Sequence, residues 1–359
     1  MSFMRRFNKL SVLLIVSILF VLICGSTNIF AEGAKYTIRV ATMDSPYPAG
    51  GPYAAFWIVF KDKVEAFTGG EVEVKIFFSG QLGDDLHSYR EVRAGNLEMS
   101  SAGAGSLGSA IYAPISIFEL PYLFPDNKIA IDVLKLDNSF VKELVEGLKK
   151  ESGMGILCIT PQSFRHLTNN VRPIKKVGDL KGLKIRTMQV PAHMKMIEAA
   201  GAQVVPIAFT ELYTSLQTGV IDGQENPLAN IVSKHFDEVQ KYLTLSQHVI
   251  NCVVPIYNDK WFKSLPNDIQ IKILKAAEVA RVTSSGLSHL SDVVDLEKLK
   301  ESGMEVYVPS PEEIVEFKKV MQPDALELYK SQVKGGDELL SKLEKEIEKA
   351  EQRYKNLVY

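Results

Sequence analysis

Strand and helix signals alternate along most of this chain, and that alternation restricts its fold more than any other feature. Tyr36-Thr37-Ile38-Arg39-Val40-Ala41 has the period of two of a strand, Pro52 to Phe67 reads as a helix, and Glu71-Val72-Glu73-Val74-Lys75-Ile76 alternates again after the turn Thr68-Gly69-Gly70. A helix follows from Asp85 to Ala94, then the apolar strand Gly155-Ile156-Leu157-Cys158-Ile159 and a further strand at Leu183-Lys184-Ile185-Arg186. Repeated in this way, the order predicts an α/β class with mainly parallel sheets. From Pro266 to about Glu301 the pattern is helical for far longer than average, weakened midway by Ser284-Ser285-Gly286. Such a helix can brace two lobes. Thr210 reads as an N-cap ahead of Glu211, Leu212 and Leu216, with Gly219 ending that helix. The charged tail from Asp337 to Lys355 carries Leu339, Leu340, Leu343 and Ile347 at helical spacing, which suits packing on the protein's own surface.

The first residues have the layout of a secretory signal: Arg5, Arg6 and Lys9, an apolar run from Leu10 to Cys24 broken only by Ser11 and Ser17, then Gly25-Ser26-Thr27-Asn28. That run is shorter than the roughly 20 residues that span a bilayer. Cleavage after Ala31 places a small residue at −1; lipidation at Cys24 is the alternative, and Ile23 fits the position before such a cysteine poorly. Removing 1–31 leaves 328 residues with a net charge near −5. That length exceeds what a single core usually serves, so two lobes are expected. The negative balance argues against nucleic acid as a partner. Cys158 and Cys252 are the cysteines left after export, and so sparse a pair reads as buried small hydrophobes, with the sequence silent on a bridge between them.

Catalytic and cofactor signatures are weak. Gly103-Ala104-Gly105-Ser106-Leu107-Gly108 matches G-x-G-x-x-G, but Pro114 follows within six residues of the match and no acid stands at the required offset. Close backbone packing at a cleft wall explains these glycines better than a dinucleotide. The histidines lack metal-ligand spacing, and nothing pairs a cysteine or serine with a base, so neither a metal nor another cofactor is expected. What stands out is polar residues inside apolar elements. Within Leu183-Lys184-Ile185-Arg186-Thr187-Met188, Arg186 shares a face with Lys184 rather than Ile185. Either it meets a carboxylate at a cleft with two parallel hydrogen bonds, or it makes a structural ion pair. Asp222-Gly223-Gln224-Glu225-Asn226-Pro227 is a dense turn signal that places Asn226 on a loop.

Five segments carry a resemblance: Gln81-Leu82-Gly83-Asp84-Asp85, Leu120-Pro121-Tyr122-Leu123-Phe124, Arg165-His166-Leu167-Thr168-Asn169, Asp179 through Arg186, and Leu216-Gln217-Thr218-Gly219-Val220-Ile221-Asp222-Gly223-Gln224-Glu225-Asn226-Pro227. In order and spacing the chain resembles the substrate-binding proteins of tripartite ATP-independent periplasmic (TRAP) transporters, the DctP family. The resemblance implies a two-lobed periplasmic-binding-protein-like fold with crossing strands and a long helix bracing both lobes. The expected boundaries are a signal at 1–31, a first lobe of 32–162 plus 252–291, and a second of 163–251 plus 292–359. It implies a periplasmic, non-enzymatic receptor that closes on a small organic acid and delivers it to the small and large membrane subunits of the transporter. Arg186 matches the arginine that binds the ligand carboxylate; Arg165 and Asn226 match further binding positions. Phe209, with Tyr213 near it, matches an aromatic wall, and His248 a position that lines or supports the site. Asp85 lies near the cleft by the same pattern, or else caps the helix that follows it. Met43 or Asp44 ends the first strand at the cleft mouth, and Gln189 and Val190 help shape the pocket. The glutamate of the sialic-acid branch is missing from Ala102-Gly103-Ala104-Gly105, which disfavours that sugar. A sensor, or a periplasmic enzyme using His248 and Asp85 on an acid substrate, is the alternative.

Overall fold

A computed structural model describes residues 33–357 apart from Ala102. The signal segment and Cys24 lie outside the described residues. In chain order the strands are β1 (Tyr36–Ala41), β2 (Val72–Phe77), β3 (Met99–Ser100), β4 (Met154–Ile156), β5 (Thr160–Asn169), β6 (Lys184–Thr187), β7 (Gln203–Pro206), β8 (Gly223–Asn226), β9 (Tyr242–Val253), β10 (Ile256–Asn258) and β11 (Glu305–Tyr307). They form two sheets, one of five strands in the order β2-β1-β3-β10-β4 and one of six in the order β11-β9-β5-β8-β6-β7. Two strand connections cross between the lobes, from β4 into β5 and from β9 into β10, where the Leu157 amide donates to the Pro255 carbonyl.

The sheets are mixed rather than mainly parallel. The β-α-β units pair parallel, as β1 does with β2 and β3, and β6 with β7 and β8. The crossing segments run the other way: β10 is antiparallel to β3 and β4, and β5 to β8 and β9. Alternation along the sequence reveals the first kind of pairing and says nothing of strands that return from another lobe.

Helices in chain order are α1 (Gly51–Thr68), α2 (Asp85–Ala94), α3 (Ala104–Ala110), α4 (Asn127–Val133), α5 (Ser139–Ser152), α6 (Pro191–Ala199), α7 (Leu212–Gln217), α8 (Leu228–Ser233), α9 (Asp259–Ser264), α10 (Asn267–Glu301), α11 (Pro311–Met321), α12 (Pro323–Gln332) and α13 (Gly336–Leu357). The 35-residue α10 is continuous through Ser284-Ser285-Gly286. Ile269, Ile273, Ala276, Ala277 and Ala280 pack with Phe56, Trp57 and Phe60 of α1, while Leu299 joins Leu212, Leu228 and Ile231 of the other lobe. Each fully buried isoleucine there stabilises the fold by about 1.5–3 kcal/mol. The serines serve the crossing: Ser284 Oγ donates to the Pro52 carbonyl (2.8 Å) and accepts from Gln162 Nε2 (3.0 Å).

Other local expectations are corrected. Thr210 does not cap a helix; a 3-10 turn over Phe209–Glu211, entered from Ala208, leads into α7, and Gly219 closes the region at φ 70°. Residues 292–359 do not all stay with the second lobe. Helix α13 buries Leu339, Leu340, Leu343 and Ile347 and returns to the first, where Lys342 pairs with Glu143 and Arg353 with Asp132. Cys158 and Cys252 are both buried and free, and burial pushes the Cys158 thiol up to about 12.

Candidate functional site

The cleft between the two sheets holds a cavity of about 130 Å³ lined from both lobes. Its first-lobe wall comes from the loop after β1 (Thr42, Met43, Asp44), Tyr53 of α1, the start of α2 (Asp84, Asp85, Leu86) and the Gly103–Ser106 corner. The opposite wall comes from Arg165 and Asn251 on the paired strands β5 and β9, Arg186, Met188 and Gln189 after β6, Ile207–Phe209, and Asn226 and Asn230. Among the expected residues, Arg186, Arg165, Asn226, Phe209, Asp85, Gln189 and Met43 line this space.

Arg186 is 2% exposed. Its Nε donates to the Ile207 carbonyl (2.9 Å), its guanidinium lies 5.9 Å from the Phe209 ring centroid, and its buried Nη1 has no hydrogen-bond partner. Burial lowers its pKa to about 10, with Arg165 acting in the same sense and Glu225 and Asp85 opposing. Arg186 thus lines the cavity as a buried cation with an unmatched donor, and leaving such a donor unpaired costs about 1–3 kcal/mol or more.

Arg165 is differently placed. Glu225 on the neighbouring strand takes its Nε at 2.5 Å and its Nη2 at 3.0 Å, both side chains at most 2% exposed, while Nη1 donates to Asn251 Oδ1 (3.0 Å). Burial opposes the charge on each partner, yet their attraction prevails, so the arginine is raised and the glutamate held well below the usual carboxylate range. The role of Glu225 is hidden in the sequence because Asp222-Gly223-Gln224-Glu225-Asn226-Pro227 reads as a turn. In the fold, β8 is a central strand with all four residues buried, so Asn226 stands on a strand rather than a loop. Its polar side chains are satisfied sideways: Gln224 Nε2 donates to Thr168 Oγ1, and Asn226 Nδ2 to Gln224 Oε1. Gly223 is required, since a Cβ there would sit 2.1 Å from the Thr168 carbonyl oxygen.

Three expected residues lie outside the cavity lining, and one of them, Val190, is buried against Gly105. His248 stands behind Glu225, its Nε2 donating to Oε2 at 3.2 Å while Nδ1 accepts from Ser246 Oγ at 2.8 Å, and burial lowers its pKa. It supports the Arg165–Glu225 pair. Tyr213 is half-buried against the cluster of Leu212 and Leu216, three residues from Leu216 on the same side of α7, and its hydroxyl donates to Glu238 Oε2 at 2.9 Å away from the cavity.

Asp85 does not cap α2. Asp84 takes that place, accepting from the His87 amide at 2.8 Å, and leaves Asp85 facing the cavity, where burial, with Asp44 and Asp84 beside it, pushes it up to about 7. Asp44 is also raised by burial, although Thr42 Oγ1 donates to it at 2.6 Å and Lys234 lies near. Lys234 Nζ crosses the cleft to the Met43 carbonyl (3.1 Å) and Ser45 Oγ (3.0 Å). The glycines of the G-x-G-x-x-G match serve close packing in and around α3: a Cβ at Gly105 would lie 2.5 Å from Glu119 Oε2, and one at Gly108 the same distance from Ser116 Cβ. Glu119 itself accepts from the Gly105 and Cys252 amides, and burial brings it up to about 7.

Two lobes joined by crossing strands and a bracing helix, with a buried arginine open to the cavity between them, define the periplasmic-binding-protein class. The family model for bacterial extracellular solute-binding protein, family 7 (DctP) matches residues 48–332, and the chain belongs to that family. A solute-binding protein of Verminephrobacter eiseniae is 35% identical over 247 residues, 69% of this chain and 72% of that one. The sugar acid binding protein DctPAm of Advenella mimigardefordensis, solved with galactonate, is 31% identical with TM-score 0.82 over 89% of this chain and 100% of that one. A TRAP periplasmic solute binding protein of Sulfurospirillum deleyianum, solved with succinate, is 29% identical with TM-score 0.79 over 86% and 98%.

Proposed function

We propose that this protein is an exported receptor that binds a small organic acid between its lobes and delivers it to the membrane subunits of a TRAP transporter. The observation that carries the reading is Arg186, 2% exposed, with an unpartnered Nη1 at an interlobe cavity. The carboxylate pairs with Arg186, and the lobes close over it by hinge motion along the crossing strands. Galactonate and succinate in similar structures are both carboxylates, which supports this class of ligand. The amino-terminal signal directs the chain to the periplasm, and among the described residues no helix is long and apolar enough to cross a membrane. Catalysis by His248 finds no support, since both of its ring nitrogens are committed to Glu225 and Ser246 away from the cavity.

Native mass spectrometry of the purified protein, followed by denaturation and identification of released small molecules, tests the reading. The expected result is a co-purified carboxylate that disappears in Arg186→Ala. A non-acidic ligand retained by that variant would overturn the role of Arg186.

A further inference from the structure

Galactonate and succinate differ in one respect that family membership does not decide: the first carries one carboxylate, the second two. The charges around the cavity do bear on it. Its lining contains the acids Asp44, Asp84 and Asp85 against the arginines Arg165 and Arg186. Arg165 is already neutralised by Glu225 through a bidentate pair. Lys234 is turned to the Met43 carbonyl and Ser45 Oγ and does not line the cavity. Among the described residues, Arg186 is therefore the only lining cation without a counter-charge in contact, and it has the open donor. The first-lobe wall across from it is acidic, and the rest of the lining offers neutral amides.

We propose that the receptor takes an acid with a single carboxylate, held by Arg186, and an uncharged hydroxylated remainder held by Asp44, Asp85, Gln189, Asn226 and Asn230. This rests on the receptor reading above and narrows its ligand. Hydroxyls can donate to the two aspartates and both donate to and accept from the amides, so the polar lining is matched without further charge. A second carboxylate has no free cation to meet and stands against Asp85 and Asp44. Above about pH 7, where Asp85 is ionised, two like charges about 5 Å apart repel at an effective dielectric constant of about 20 by enough to lower affinity by roughly 100-fold or more.

The test is calorimetric titration of the purified protein with aldonates (D-galactonate, D-gluconate, D-erythronate) and dicarboxylates (succinate, malate). Malate separates the effect of a hydroxyl from that of the second charge. At pH 8 the native protein binds the best aldonate at least about 100-fold more tightly than either dicarboxylate. Asp85→Asn narrows that ratio about tenfold or more by admitting dicarboxylates, and Asp44→Asn moves it in the same direction. A dicarboxylate that binds as tightly as the best aldonate overturns the proposal, as does a ratio unchanged in both variants when each melts cooperatively. If no acid of either kind binds, the receptor reading itself fails, and if binding survives Arg186→Ala the role of Arg186 fails; both results differ from a wrong choice of acid.

Discussion

Glu225→Gln exposes the role of the buried ion pair. The substitution keeps the shape of the side chain and one carbonyl oxygen but removes the charge that neutralises Arg165, whose Nε and Nη2 stand 2.5 and 3.0 Å from the two carboxylate oxygens. It also turns an amide N–H₂ toward either Arg165 or His248. Removing one partner of a buried pair typically costs about 3–5 kcal/mol, because the other charge stays buried and unmatched. Chemical denaturation followed by far-UV circular dichroism should therefore show a loss of about 3 kcal/mol or more at neutral pH with the m value unchanged. The folded carboxyl titrates below its unfolded value of about 4.3, so its stabilisation is present above that pH and is lost as pH falls toward the folded value. The gap between native protein and variant should accordingly shrink below about pH 4. The same change frees Arg165 beside Arg186, so dicarboxylates should gain affinity relative to aldonates. A loss under about 1 kcal/mol, with unchanged ligand preference, would refute the view that Glu225 is the counter-charge of Arg165.

Further expectations concern the cleft and the brace. Lys234→Met removes the cross-cleft contacts to the Met43 carbonyl and Ser45 Oγ, so ligand dissociation measured by stopped flow should speed up about tenfold with association unchanged. Ser284→Ala leaves the Pro52 carbonyl and Gln162 Nε2 without their shared partner at the helix crossing, for a loss of about 1–3 kcal/mol by denaturation. Asp85 faces Asp44, Asp84, Tyr89 and Arg186 and titrates near 7 when folded, well above its unfolded value. The native protein thus loses stability as pH rises from about 4 through 7, and Asp85→Asn should raise the melting temperature of the ligand-free protein at pH 8 by more than at pH 5.

Parts of this account were legible in the sequence because they depend on local pattern. The alternation around Ile38 and Val74 located the parallel β-α-β unit, and the run from Pro266 to Glu301 located the brace, since both follow from which residues must turn inward. Arg186 was legible as a charge embedded in a buried strand. Tyr53, Asn230 and Asn251 were not legible as cavity residues, because the cavity is assembled from loops and strands up to about 200 positions apart and only the crossing of β5 and β9 brings them together. Strand β8 was hidden by its composition: Gly223-Gln224-Glu225-Asn226 has no apolar face, and it is stable as a central strand because Arg165 and Thr168 satisfy it laterally. The capping assignment at Asp84-Asp85 was ambiguous because either carboxylate can reach a free amide, and the one-residue difference decides which faces the cavity.

The most direct test is a crystal structure of the protein with the acid that co-purifies with it. The account predicts a carboxylate whose oxygens accept from Nη1 and Nη2 of Arg186 at about 3 Å, with Arg165 still paired to Glu225. A carboxylate seated on Arg165 or elsewhere, with Nη1 of Arg186 left without a partner, would contradict it.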